Sequence, residues 1–210
     1  MDLAYFLKLF AALFAIMNPI ANLPVFLSLT SDREPAFQRT VAITVIIGLL
    51  VGSLVVALTG NLILDVFGIS LDAFRLAGGF LILLIALKLL SGEQSNTHQG
   101  TEKEQAHHET QENPAVYPLT VPILLGPGSI STLIIFRGQI SDTRQDIAYV
   151  AAIVGAIALQ GVTMLMAPYL GERLGQTAIS VMSRIMGMIL AAIAMEMMVA
   201  SLKVLLPGLA

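Results

Sequence analysis

The sequence predicts an all-α, polytopic membrane protein: six transmembrane helices in two inverted three-helix repeats, with the first and fourth helices discontinuous. Three observations predict it. Apolar residues make up 56% of the chain and charged residues 12%, where a soluble domain carries about a quarter charged. The mean hydropathy is +0.84, and at about 20 residues per crossing the apolar stretches accommodate six helices. Two of those stretches are interrupted near their middles, one by Asn18-Pro19 and the other by Gly126-Pro127-Gly128, at matching places in the two halves of the chain.

The first span covers 3–30. Proline removes a backbone donor and clashes with the preceding turn. Asn18 is a good N-cap and Pro19 a good first helical residue, so the span reads as half-helices over 3–17 and 19–29. A polar turn, Ser31 to Pro35, leads to a second span over 39–64, where Gly48 and Gly52 are spaced for close helix contact. Residues 65–72 connect to a third span over 73–90, which holds Arg75, Gly78 and Gly79. The stretch 91–113 is rich in Glu, Gln, Thr and His, with Ala106 its one apolar residue. Such a segment buries no core and reads as a mobile linker. The fourth span, 115–136, contains Pro118, Pro122 and the Gly-Pro-Gly run; the fifth covers 147–170 and the sixth 178–206. The chain divides into a first repeat at 1–90, a linker at 91–114 and a second repeat at 115–210.

The repeat rests on two landmarks. Pro19 and Arg75 are 56 positions apart, and Pro127 and Arg184 are 57 apart. Each arginine is followed three residues later by glycine, Gly78 and Gly187, so the halves match at an offset of 108 to 109 residues. Three spans per half is an odd number, so homologous halves enter the membrane from opposite sides. The half-helix starts at Asn18-Pro19 and Gly126-Pro127 then converge near the midplane. A half-helix N-terminus exposes free N–H groups and a positive dipole end. A break at that depth survives only when buried in protein or lining a wet cavity, and it is where a transporter holds a small anionic group.

Lys8, Arg75, Arg137, Arg144 and Lys203 fall on the side of the N-terminus, and Arg33, Arg39, Lys88, Lys103, Arg173 and Arg184 on the other. The small excess on the second side predicts periplasmic termini and a cytoplasmic linker. Asp2, where a signal peptide carries basic residues, argues against a cleaved leader. No basic run points to nucleic acid. The absence of cysteine excludes a disulfide framework, an iron–sulfur cluster and a thiolate zinc site. There is no Ser/His/Asp set within the spans and no H-E-x-x-H, so neither an enzyme nor a cofactor is expected. His98, His107 and His108 lie in the linker and make a poor metal site.

Asn18 and Asn22 are four residues apart, one turn on a helix face, and their amides both donate and accept, which suits a zwitterion. Either they contact a substrate or Asn18 only caps and Asn22 only joins two helices. Gly126, Pro127, Gly128 and Ser129 are the counterpart: glycine lets backbone approach a ligand, Ser129 donates, and Ser131 and Thr132 follow; the bland reading is a proline hinge. Arg75 and Arg184 read as structural partners of loop acids or freed carbonyls, or as gating contacts, since a charge in the membrane is costly without a partner. Glu196 is the one acid deep in an apolar span. It is either a proton-coupling group or a snorkelling surface residue.

The stretches MNPIANLPVF at 17–26, AFRLAGGFLILLIAL at 73–87 and YPLTVPILLGPGSIS at 117–131 resemble the MarC family, also described as the small neutral amino acid transporter family. The resemblance lies in both halves, and the family's six-span layout covers the whole chain. It implies a bacterial inner-membrane protein with inverted repeats, and for some members transport of glycine, alanine and similar amino acids. Carried across by motif, the family's site falls on Asn18, Pro19 and Asn22 and on Gly126, Pro127 and Gly128. The leading expectation is therefore an alternating-access secondary transporter in the lipid bilayer, moving a small neutral amino acid with a coupling ion, H+ or Na+. The alternatives are a scaffold or sensor acting through its linker, and an exporter of another small solute.

Overall fold

The computed structural model describes residues 1–30, 33–91, 114–173 and 175–207. Among the described residues the chain is helical, without strands: α1 (Leu3–Met17), α2 (Leu23–Thr30), α3 (Pro35–Phe67), α4 (Leu71–Ser91), α5 (Ala115–Leu124), α6 (Pro127–Gly138), α7 (Thr143–Leu165), α8 (Ala167–Arg173) and α9 (Gln176–Leu205). Helices α3, α4, α7 and α9 are long and apolar enough to cross a membrane. The linker stretch 92–113, with its three histidines, lies outside the described residues.

Local chemistry explains where the helices start and stop. Asp2 caps α1, its carboxylate accepting the Tyr5 N–H at 3.1 Å. That hydrogen bond holds the Asp2 carboxyl below its ordinary range. Helix α3 runs 33 residues. It starts at Pro35, four residues before the expected 39, because proline needs no N–H in a first turn. It ends at Gly68 in the left-handed conformation, φ 65°. Within α5, Tyr117 and Val121 have extended backbones, φ −128° and −125°. Each precedes a proline, whose ring crowds the preceding residue out of the helical region. The segment is wound in wide π-type turns as a result. The expected fifth span is broken at Met166, just before α8. Pro168 removes the N–H that would continue α7 and crowds the carbonyl one turn back.

The first interruption differs from expectation. Asn18 does not cap a helix beginning at Pro19. It closes α1 in the left-handed conformation, φ 39° and ψ 71°, with its N–H donated to Phe14 O at 2.8 Å. A turn follows, and α2 begins only at Leu23. Pro19 bars Asn18 from the helical region, and asparagine is one of the few side chains that tolerates the left-handed one. Asn18 and Asn22 therefore sit at the two ends of a turn, not on one helix face.

Helices α4 and α9 pack antiparallel along a seam of close backbone contacts. A Cβ on Gly79 would lie 3.1 Å from Ala194 O, and one on Gly187 would lie 3.1 Å from Ala86 O. The match extends to the side chains: Gly79 also meets Met197 and Met198, and Gly187 meets Leu89 and Leu90. Residues 79, 86, 89 and 90 are each 108 positions from 187, 194, 197 and 198. Gly79, not Gly78, thus makes the close contact reciprocal to that of Gly187, one residue from the R-x-x-G spacing.

Helix α3 runs alongside α5 and α6. A Cβ at Gly48 would meet Thr120, at Gly52 Leu125 and at Gly60 Ile134, so small residues on α3 accommodate the irregular chain beside them. Helix α7 runs antiparallel to α3, with Gly161 against Ile46 and Met164, Leu165 and Pro168 lining a recess with Pro35, Gln38 and Arg39. It runs parallel to α1: Asp2 N–H donates to Arg144 O at 3.2 Å, and Phe10 packs on Gly155. One buried cluster joins α1, α2, α3, α5, α6 and α7, and a second joins α4 and α9 to the last turn of α1 and to Ile135.

Candidate functional site

Both interruptions are buried. Asn18 is 3% exposed and Asn22 7%, Pro19, Gly126 and Gly128 are buried, and Pro127 alone of these six is exposed. They are also neighbours. A Cβ on Gly128 would lie 3.4 Å from Ile16 Cγ2 and 3.2 Å from Ile85 Cδ1. Helices α1 and α6 are antiparallel, Tyr5 meeting Phe136 at one end and Ile16 meeting Gly128 at the other. The carbonyl-rich end of α1 therefore lies beside the N–H-rich start of α6. No side chain caps that start, so it presents a positive helix end next to a negative one.

Within the first interruption, Asn18 Oδ1 accepts the Ala21 N–H at 3.2 Å and Asn18 O accepts the Asn22 N–H at 3.1 Å. Asn22 Nδ2 donates to Met17 O. One of its two N–H donors thus ties the turn to the end of α1. Asn18 Nδ2 is buried and has no hydrogen-bond partner among the described residues. An unpaired buried donor costs about 1–3 kcal/mol.

In the second interruption the hydroxyls serve the backbone. Prolines 118, 122 and 127 supply no N–H. Thr120 Oγ1 donates to Ala115 O at 2.8 Å and Ser129 Oγ to Leu124 O at 2.7 Å, satisfying carbonyls that the irregular winding frees. Ser129 is thus engaged locally. Ser131 packs against Gly78 of α4. Thr132 is fully buried with Oγ1 unpartnered among the described residues.

The far end of α6 is anchored. Tyr5 OH donates to Phe136 O at 2.6 Å and Tyr149 OH to Leu133 O at 3.1 Å. Arg137 pairs with Asp146 and lies over the Tyr149 ring, 5.9 Å from its centroid. Beyond this anchor opens a polar recess of about 420 Å³, bordered by Asn61, Arg137, Ser141 and Asp146. The recess at Pro35 and Pro168 lies at the opposite end of the α3–α7 seam and holds about 370 Å³.

The remaining candidates stand apart from the two interruptions. Arg75 pairs with Asp72 at 3.0 Å in the first turn of α4. Arg184 is exposed on α9, and so is Glu196; the burial on which a proton-coupling role for Glu196 rested is absent. One residue escaped the sequence reading. Gln160 is 1% exposed, and neither its Nε2 nor its Oε1 has a partner among the described residues. Its signal was present: a lone amide amid the apolar run AAIVGAIALQGVTML, in a setting where polar side chains are costly.

The family model described as MarC family integral membrane protein matches residues 3–206. A UPF0056 membrane protein of Methanocaldococcus jannaschii is 38% identical, the match covering 95% of this chain and 96% of that protein. The UPF0056 membrane protein YhcE of Escherichia coli is 36% identical, over 99% of this chain and 96% of the relative. YvbG of Bacillus subtilis is 32% identical, over 100% and 99%. No solved structure matches. The motifs at both interruptions fall inside the matched region, and the match runs from the first turn of α1 past the end of α9: the chain belongs to the MarC family of integral membrane proteins.

Proposed function

We propose that the protein is a secondary transporter moving a small neutral amino acid, of the glycine and alanine class, across the bacterial inner membrane by alternating access. The observation that carries this reading is the Asn18 Nδ2 donor, without a partner among the described residues and buried in the first interruption beside the uncapped start of α6. A zwitterion matches that juxtaposition. Its carboxylate suits the Asn18 donor and the N–H groups opening α6, and its ammonium suits the carbonyls closing α1. The tight packing of Ile16, Ile82 and Ile85 around Gly128 favours a small side chain.

The proposal includes six crossings in two inverted repeats, α1–α2, α3 and α4 in one and α5–α6, α7 and α9 in the other. Three features support it. The reciprocal seam of α4 and α9 has one offset throughout. Helices α2 and α6 end at Thr30 and Gly138, and α3 and α7 begin at Pro35 and Thr143, again 108 apart. In each counterpart pair, α3 with α7 and α4 with α9, the helices run antiparallel, as inversion requires.

Purified protein in liposomes is expected to take up labelled glycine or alanine above the empty-vesicle background. No flux for any small neutral amino acid overturns the reading. The proposed orientation has its own test. The chain has no cysteine, so Arg33→Cys is expected to react with an impermeant thiol reagent only from the cytoplasm, and Ser141→Cys only from the periplasm. The reverse pattern inverts the topology.

A further inference from the structure

We propose that Gln160 is a substrate-binding residue, its amide holding both ends of a zwitterionic α-amino acid at the first interruption; this rests on the transporter reading above. Gln160 shares one face of α7 with Ile157, Gly161 and Met164 by helical spacing. Ile157 and Met164 belong to the buried cluster that contains Met17, Leu23 and Phe26, the apolar residues flanking the turn at Asn18. Helices α1 and α7 are parallel, with Phe10 on Gly155. Five residues further on, about 7.5 Å along each axis, Gln160 stands level with the last turn of α1. The repeat leads to the same place independently. Gly52 abuts Leu125 at the second interruption, and the 108-residue correspondence carries that pair onto residues 160 and 17.

The chemistry then selects the ligand. A buried amide with donor and acceptor both unpaired is costly to keep, and a methionine would fill the same space at little cost. A glutamine offers one thing that methionine does not: an NH₂ for a carboxylate and a carbonyl for an ammonium, side by side. Asn18 Nδ2, buried and without a partner among the described residues, offers a second donor just past the end of α1. A neutral amide pair with this polarity fits a ligand of no net charge carrying both ionic groups, and it gives a simple carboxylate or a simple amine only half of its contacts.

The test is Gln160→Met in the full chain, purified in detergent, titrated with L-alanine and glycine by calorimetry and melted without ligand. Expected is an alanine Kd weakened about tenfold or more, with a ligand-free melting temperature equal to or above that of the wild type. Unchanged alanine affinity in the variant, with the wild type binding normally, overturns the role of Gln160 and leaves the transporter reading standing. A wild type that responds to no small neutral amino acid overturns both. A melting temperature lowered with affinity retained makes Gln160 structural, which also overturns the proposal. If Gln160→Met does not fold, Gln160→Asn takes its place: it keeps the amide but withdraws it by one methylene, and wild-type affinity there is the overturning result.

Discussion

Asn18→Gly protein is expected to fold and to carry at most about a tenth of the wild-type flux of glycine or alanine. Glycine is the informative replacement because Asn18 holds φ at 39°. Alanine there would add left-handed strain of about 1–2 kcal/mol and confuse misfolding with loss of the site. Glycine adopts that backbone freely. It forfeits the Asn18 Oδ1 bond to the Ala21 N–H, worth about 1 kcal/mol, and at the same time removes an unpaired buried donor. The two changes offset, so the melting temperature should move little while transport falls. Wild-type flux in a well-folded Asn18→Gly protein would remove the amide from the site. A collapse in stability would make Asn18 a structural cap and nothing more.

Gly79→Leu and Gly187→Leu should each destabilise the protein by about 2 kcal/mol or more, and by matching amounts. At both positions the first side-chain atom would press on a backbone carbonyl across the seam, Ala194 O and Ala86 O respectively, each at 3.1 Å. A carbonyl within a helix cannot rotate aside as a side chain can, so the two helices must separate. Ala77→Leu, at an exposed position of α4, is the control and should change stability by no more than about 0.5 kcal/mol. Thermal melting in one detergent compares all three. A seam that yields at Gly79 and tolerates leucine at Gly187 is not reciprocal, and the correspondence of the halves loses its main support.

The interruptions were legible because proline has only a few consequences for a helix, and all appear in the sequence as Asn18-Pro19 and Gly126-Pro127-Gly128. Where α2 starts was not legible. Proline both opens helices and expels its predecessor from them, and the first property suggested a start at Pro19 while the second governed Asn18. Which glycine packs against α9 was not legible from the R-x-x-G spacing: Gly78 and Gly79 are adjacent in sequence, and only the partner across the seam distinguishes them. Glu196 left two readings open because a lone acid in an apolar run can face inward or outward; the fold leaves it exposed on α9. Gln160 was overlooked because it carries no charge and stands in no motif. Its burial comes from helices packed on α7, α1 and α3 among them, far away along the chain. The same holds for the anchoring of α6 by Tyr5 and Tyr149, which neither tyrosine's own surroundings announce.

The length of α3 has a mechanical consequence. Its 33 residues span about 50 Å, but its exposed side chains are apolar only from Ile43 to Ile63, a stretch of about 30 Å that matches the hydrocarbon layer. The turns beyond it, with Arg39 exposed at one end and Asp65 at the other, are left for the headgroup region, and a bilayer of that thickness accepts the helix without stretching. Helices α5, α6 and α7 lie along α3, so a bilayer thinner than about 30 Å, which would tilt α3, would tilt with it the wall that carries Gln160.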